Sequence, residues 1–140
     1  MKLLTEELKK QLPPLYSQEH EPDPLVYGKF FHPLSPWTWY AYEGSPVDED
    51  GYYDTDKEKV DFLFFGWVNG DFPELGYFSL SELESVNVMG LGIERDLFFT
   101  PMRLSEAKKL HEDLPAAQPP TITIYLIEVD EEEGDPNGNL

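Results

Sequence analysis

The run DFLFFGWVNG at 61–70 constrains this chain more than any other stretch. It is almost continuously apolar, yet far shorter than the roughly 18 residues a membrane helix needs. A central strand buried on both faces explains such a run best, and that strand requires partners on either side. Candidates lie close by. VYGKFFHP at 26–33 is β-branched and aromatic and is closed by Pro33, which reads as a strand. WTWYAYE at 37–43 alternates, with Trp37, Trp39 and Ala41 against Thr38, Tyr40 and Tyr42. That period of two leaves the Thr38–Tyr42 side half-wet. The short connection between these segments predicts a hairpin. Asn69-Gly70-Asp71 is a turn that Phe72-Pro73 lengthens, and LGYFSL at 75–80 is the next strand. DLFFTP at 96–101 reads as a short extended segment, and TITIYLIEV at 121–129 as a strand with Ile122, Ile124 and Leu126 on one face.

Three short helices complete the pattern. Leu4, Leu8 and Leu12 recur every four residues, Thr5 suits an N-cap, and Pro13-Pro14 ends that helix. Ser79 with Glu82, and Ser81 with Glu84, each fit a capping box. Ser105 can cap a third helix running to about 113. The predicted fold class is therefore α+β: a single domain over 1–129 with a mainly antiparallel sheet of about five or six strands. GSPVDEDGYYDTDKEKV at 44–60 has no apolar periodicity and reads as a mobile acidic surface excursion. Residues 130–140 read as an acidic, mobile tail.

Charge bears on partners. The chain has 140 residues, 28 acids against 10 basic residues, and a net charge of −18. Such a chain repels nucleic-acid phosphate and anionic membranes at long range, so no direct nucleic-acid or membrane binding is expected. With 40% hydrophobic residues it is too apolar for a disordered acidic protein. MKLLTEELKK is not read as a signal peptide, so a cytoplasmic location is the expectation. The charge is also uneven. Residues 43–61 hold eight acids and two lysines, and 128–135 hold six acids and no base, so these two stretches carry −12 of the −18. The remainder is only mildly acidic, which weakens the picture of a body coated with a DNA-like lattice of charge. Asp48, Glu49, Asp50, Asp54 and Asp56 are the acidic candidates for contact with a basic protein.

Catalytic signals are sparse. Zero cysteine removes disulfides, thiol catalysis and thiolate metal sites. Gly90-Leu91-Gly92 lacks the context of a dinucleotide fingerprint, and Gly28-Lys29 is followed by Phe30 rather than Ser or Thr. Counted from Asp48 or from Asp50, the acidic loop fails the EF-hand spacing. No cofactor and no metal site is expected. His20 and His111 lie in polar surroundings and read as solvent-facing, whereas His32 is either a strand-end residue or a general base. Trp37, Trp39, Tyr40 and Tyr42 could stack on sugars or bases, unless the tryptophans are core, and Trp37, Trp39 and Tyr77 are candidates for an interaction or ligand site. Glu94, Arg95 and Asp96 form a compact charged triplet in a chain with only two arginines. Arg95 either pins its turn to a neighbouring carboxylate or offers a guanidinium to an anionic ligand or partner.

The segments MKLLTEELKKQLPPLYS, KFFHPLSPWTWYAYE, FFGWVNGDFPELGYFSLSELESV and GLGIERDLFFTPMRLSE resemble a bacterial family of small proteins catalogued as domain of unknown function 2958. The resemblance covers about residues 1–106. It implies a stand-alone protein of the kind often carried on plasmids and integrative elements, and supplies no catalytic residue. The acidic excursion and everything after about 110 depart from the family pattern. Two functions compete on this footing. The first is a non-enzymatic protein-interaction module, with a basic protein as partner, acting as an accessory or anti-defence factor of a mobile element. The alternative is a small-ligand-binding protein or enzyme with a pocket near the aromatic strands and Glu94-Arg95-Asp96. Oligomeric state is not legible.

Overall fold

The computed structural model describes residues 1–113. The predicted strand at 121–129 and the acidic tail lie outside the described residues. In chain order the elements are α1 (Glu6–Gln11), β1 (Leu25–Val26), β2 (Gly28–Phe31), β3 (Thr38–Val47), β4 (Asp61–Asn69) and β5 (Pro73–Ser79). They continue with α2 (Leu80–Ser85), β6 (Glu94–Arg95), β7 (Met102–Arg103) and α3 (Leu104–Glu112). Five strands form one antiparallel sheet in the order β5-β4-β3-β2-β6, and β1 pairs with β7 in a separate ribbon. The fold is α+β, as the strand and helix pattern predicts.

The sheet is covered on both sides. Phe30, Trp39, Ala41, Phe62, Phe64 and Phe78 pack on one face beneath Leu8 and Leu12 of α1 and its flank, Leu83 of α2, and Ile93. On the opposite face Tyr40, Tyr42 and Trp67 pack against Val26, Leu104 and Ala107, so α3 and the ribbon form the third layer. Residues Thr38–Ser45 of β3 are all buried. The half-wet face expected at Thr38–Tyr42 is thus overturned, because α3 covers it. The doubly buried strand is β3; in β4 Leu63 and Phe65 are only half-buried.

The acidic excursion is shorter and more ordered than the 44–60 reading. Gly44–Val47 continue β3 and pair with Asp61–Phe64 of β4. A bulge between Ala41 and Glu43 shifts the register there, placing Gly44 and Pro46 opposite Phe64 and Phe62. Such a reset defeats a simple period of two. At the bulge the chains come so close that a Cβ on Gly66 would run into the Tyr40 carbonyl oxygen. The remaining loop folds around Asp48, which is 2% exposed. Its Oδ1 accepts the Asp50 and Tyr52 N–H groups at 2.9 and 3.0 Å, and its Oδ2 accepts the Thr55 hydroxyl.

Other local readings hold or shift by one partner. The β2–β3 hairpin forms, with Phe31 opposite Thr38, although the 26–33 strand splits into β1 and β2. Thr5 caps α1, its Oγ1 accepting the Leu8 N–H at 3.1 Å. Ser79 and Glu82 make the capping box of α2, while the Ser81 hydroxyl donates to Asp61 instead. Helix α3 begins two residues early, with Arg103 at the N-cap position and no side-chain cap. Ser105 is not the cap. Its N–H and hydroxyl both donate to Asp23, a carboxylate 82 residues earlier in the chain that does the capping from outside the helix. Residues 96–101 form a turn rather than an extended segment. The Asp96 carboxylate accepts the Phe98 N–H there, and only Met102–Arg103 pair as a strand.

These contacts set three expectations. Phe64 is fully buried between Phe30, Phe62 and Phe78, so Phe64→Ala should cost about 3–5 kcal/mol in urea unfolding. Gly66→Ala should be destabilising although it adds a single methyl, since backbone atoms must move to admit it. Hydrogen bonds from Thr55 and then Tyr52 hold the Asp48 carboxyl below its usual 3.8, and those from Ser105 do the same for Asp23. Each contributes stability that is complete above pH 3.8 and is lost as pH falls through the lowered folded value. Urea titrations of Asp48→Asn between pH 5 and 2 should show a flatter acid limb than the parent.

Candidate functional site

The strongest candidate is a cleft on the α2 side of the sheet, of about 400 Å³, lined by Trp37, Trp39, Val68, Glu74, Gly76 and Phe78 with Glu82 and Leu83 of α2 and Val86 just after it. Its origin lies in the register of β4 and β5. Gly66 stands directly opposite Gly76, between the Phe64–Phe78 and Val68–Glu74 pairs. Cross-strand partners share a face, but the two glycines differ: the Tyr40 carbonyl fills the place of a Gly66 side chain, whereas Gly76 leaves a gap in the apolar surface. A Cβ on Gly76 would meet nothing within 4 Å. Gly76 therefore forms the floor of an open hollow.

The walls are held rigidly. Trp39 is 9% exposed and its ring lies 5.7 Å from that of Trp37. Trp37 is 36% exposed, and its indole lies so close on Gly70 that a Cβ there would collide with the ring. The β2–β3 turn that carries Trp37 is fixed by His32, which is buried. Its Nδ1 accepts the Leu34 N–H at 3.0 Å, so its Nε2 donates to the Leu91 carbonyl at 3.0 Å. With both nitrogens spent inside the fold, His32 is a structural residue and not a general base. On the other wall, the capping box and the Asp61–Ser81 bonds fasten α2 to the sheet. Glu82 uses Oε1 to accept the Ser79 N–H at 2.8 Å. Glu74 and Glu82 are both exposed. The lining holds two carboxylates and no Lys, Arg or His.

The predicted site residues do not all converge here. Trp37 and Trp39 do. Tyr77 borders the cleft, but its ring packs against Phe65 at 4.7 Å and Tyr16 at 6.4 Å. Phe65 is the cross-strand partner of Tyr77, and both lie on the opposite face from Gly76. Glu94, Arg95 and Asp96 lie at the far edge of the sheet, where Glu94 and Arg95 pair with Phe31 and Phe30 of β2. Pockets do join the aromatic strands to that triplet, but away from Trp37 and Trp39: Asp96 lines a cleft with Lys29 and Tyr40, and Arg95 and Asp96 line another with Tyr27 and Gly28. Within the triplet, Asp96 pairs with Lys29 at 3.6 Å, and the buried Nε of Arg95 has no hydrogen-bond partner. Of the acidic loop, Asp48 is spent on its own backbone and Asp50 bonds Lys57 at 2.6 Å, whereas Glu49, Asp54 and Asp56 are exposed. Among the described residues no three His, Asp or Glu groups stand where they could share a metal ion.

A second cleft, of about 420 Å³, lies beneath α3 and includes Lys29, Tyr40, Asp96, Phe98, Phe99 and His111. His111 is no solvent-facing histidine. Its Nδ1 is 2.7 Å from the Tyr40 hydroxyl, and its ring meets Tyr40 and Trp67 edge-on. Burial, and then the Lys29 charge, hold its pKa below the usual 6.5; burial and Asp96 push the Tyr40 phenol up. Lys29 reaches over the Tyr40 ring at 5.6 Å while it pairs with Asp96. Charges here are matched inside the fold, which marks this cluster as the polar seam under α3. Sequence reading missed it because the docking of α3, which brings His111 to Tyr40 from 71 residues away, is long-range.

The arrangement defines a class: a three-layer α+β domain with one aromatic and acidic cleft at a sheet edge. The chain belongs to the family described as "Protein of unknown function (DUF2958)", whose model matches residues 3–113. No curated protein and no solved structure matches the chain. Among the described residues no helix is long and apolar enough to cross a membrane.

The sign of the His111 effect is testable. Because its folded pKa is lowered, the unfolded chain takes up the proton first as pH falls below 6.5, and folding loses stability there. Replacing it by a side chain that does not titrate, as in His111→Gln, should remove that part of the slope in urea unfolding between pH 7 and 5.

Proposed function

We propose that this protein is a non-enzymatic interaction module that captures a basic protein by seating a Lys or Arg side chain between Trp37, Trp39, Glu74 and Glu82. One observation carries this reading: the cleft combines two indoles and two carboxylates with no cationic side chain in its lining. A cation over the face of an indole gains about 0.5–1 kcal/mol when exposed and about 2 or more when desolvated. The carboxylates add charge of the right sign, and the net charge of −18 raises the encounter rate with a basic surface. The exposed Glu49, Asp54 and Asp56 extend the same field. An accessory or anti-defence role for a mobile element is a further step of this proposal, in which the basic partner is a protein that normally grips DNA.

The test is an NMR titration of the full chain with tetramethylammonium and with N-acetyl-lysine methylamide, following the indole N–H signals of its 3 tryptophans. Trp37 and Trp39 should shift saturably and Trp67 should not. A Cβ on Gly76 meets nothing within 4 Å, so Gly76→Leu should fill the hollow from its floor and leave the fold intact while binding falls at least tenfold. Glu74→Gln and Glu82→Gln should each weaken binding several-fold at low salt. Equal response of all three indoles, or binding indifferent to Gly76→Leu, would sink the proposal.

A further inference from the structure

Strand β5 is the outer strand of the sheet, and among the described residues nothing pairs with its free edge. The register from Leu63↔Ser79 to Asn69↔Pro73 runs without a bulge. Natural sheets blunt exposed edges with bulges, prolines or inward charges. Here the only such devices lie at the start of the strand, in Pro73 and Glu74. Leu75 and Tyr77 follow, about half exposed at 51% and 49%. The opposite edge offers no comparable template, since β6 is two residues long.

We propose that the basic partner docks on β5 as an added strand, and that this strand delivers the cationic side chain into the cleft. The inference rests on the cation-seating reading above and specifies the form of the partner. Its geometry follows from the pleat. A residue opposite Gly76 points to the same face as Gly76 and so enters the hollow beside Trp39. Its two neighbours point to the other face, where Leu75 and Tyr77 present apolar surface. The recognised segment is thus extended, with one Lys or Arg flanked by apolar residues. Main-chain hydrogen bonds supply affinity, and the alternating side chains supply selectivity. An extended segment of this pattern matches the edge in charge as well as in shape, because Glu74 and Glu82 are the charged groups of the cleft.

The experiment compares the acetylated and amidated peptide Thr-Val-Lys-Val-Thr with N-acetyl-lysine methylamide on the full chain, by NMR titration and amide hydrogen exchange. The peptide should bind at least tenfold tighter than the isolated lysine derivative and slow exchange of the outward-pointing β5 amides. N-methylation of its two valine amides should abolish that gain. Replacing its lysine by threonine should cost at least tenfold on the parent and much less on Gly76→Leu. Equal affinity for peptide and lysine derivative would overturn strand docking and leave cation seating intact. Failure of both ligands to bind removes both. Protection of the outward β5 amides in the free protein would also overturn the inference, because the edge would then already be occupied by residues beyond 113.

Discussion

Strand β3 is the constraint on which the other elements depend. It is buried on both faces, so each of its backbone polar groups must find a partner within the fold. Strand β4 satisfies one edge along the whole length. Strand β2 satisfies the other edge only as far as Ala41. Beyond that point the segment after α1 takes over. Gly44 N–H donates to the Pro13 carbonyl, the Gln18 side-chain amide donates to the Tyr42 carbonyl, and Leu15 N–H donates to the Ser45 hydroxyl. The buried Glu43 carboxylate accepts the Tyr16 and Gln18 N–H groups at 2.8 and 2.7 Å. This fastening draws Tyr16 into a left-handed conformation, φ 72°. It also fixes where α1 lies, and hence which face of the sheet receives Leu8 and Leu12.

Local chemistry was legible where a residue and its partner are close in sequence. The α1 cap at Thr5, the Ser79–Glu82 box and the β2–β3 hairpin each span a few residues, and each forms. The failures share a cause. Ser105 has the right type for a cap, but the group that matters is Asp23, brought in by the β1–β7 ribbon. Gly44 to Val47 carry glycine, serine and proline, so their composition reads as loop, whereas their pairing with β4 makes them strand. Gly66 and Gly76 are unremarkable one at a time. The cleft exists because the register sets Gly76, whose side-chain place is empty, between Phe78 and Glu74 on the face walled by Trp39 and α2, and register is a property of two strands. Trp37 and Trp39 could be named from sequence, but whether they formed core or surface depended on the open space at Gly76.

The acidity also takes on a different meaning in the fold. Asp23, Glu43, Asp48, Asp61 and Asp96 all accept backbone N–H groups, so they act as caps for turns, loops and helix starts. Counting carboxylates overstates the charge that faces outward as a recognition surface. A chain with ten basic residues has few internal ion pairs to make; among the described residues only Lys9, Lys29 and Lys57 hold carboxylates within 4.0 Å. Backbone amides do instead what lysines do in a charge-balanced domain. That division leaves the acids without such a task, Glu74 among them, free to act on something outside the fold.

Where those free acids stand decides their effect. On an open surface a carboxylate is hydrated and screened, and a pair with an incoming cation is worth little. Beside an indole wall the same carboxylate meets a cation that has shed part of its water onto an aromatic face, and the attraction is stronger for it. The acidic loop around Asp48 offers the first situation and the Gly76 hollow the second. On the proposed reading the loop, which holds more charge, governs approach at long range, and the hollow, with two carboxylates and two indoles, governs which side chain stays. Recognition by charge alone would need only the loop. On that reading the gap at Gly76, kept open between rigid walls, turns a general preference for basic surfaces into selection of one side chain.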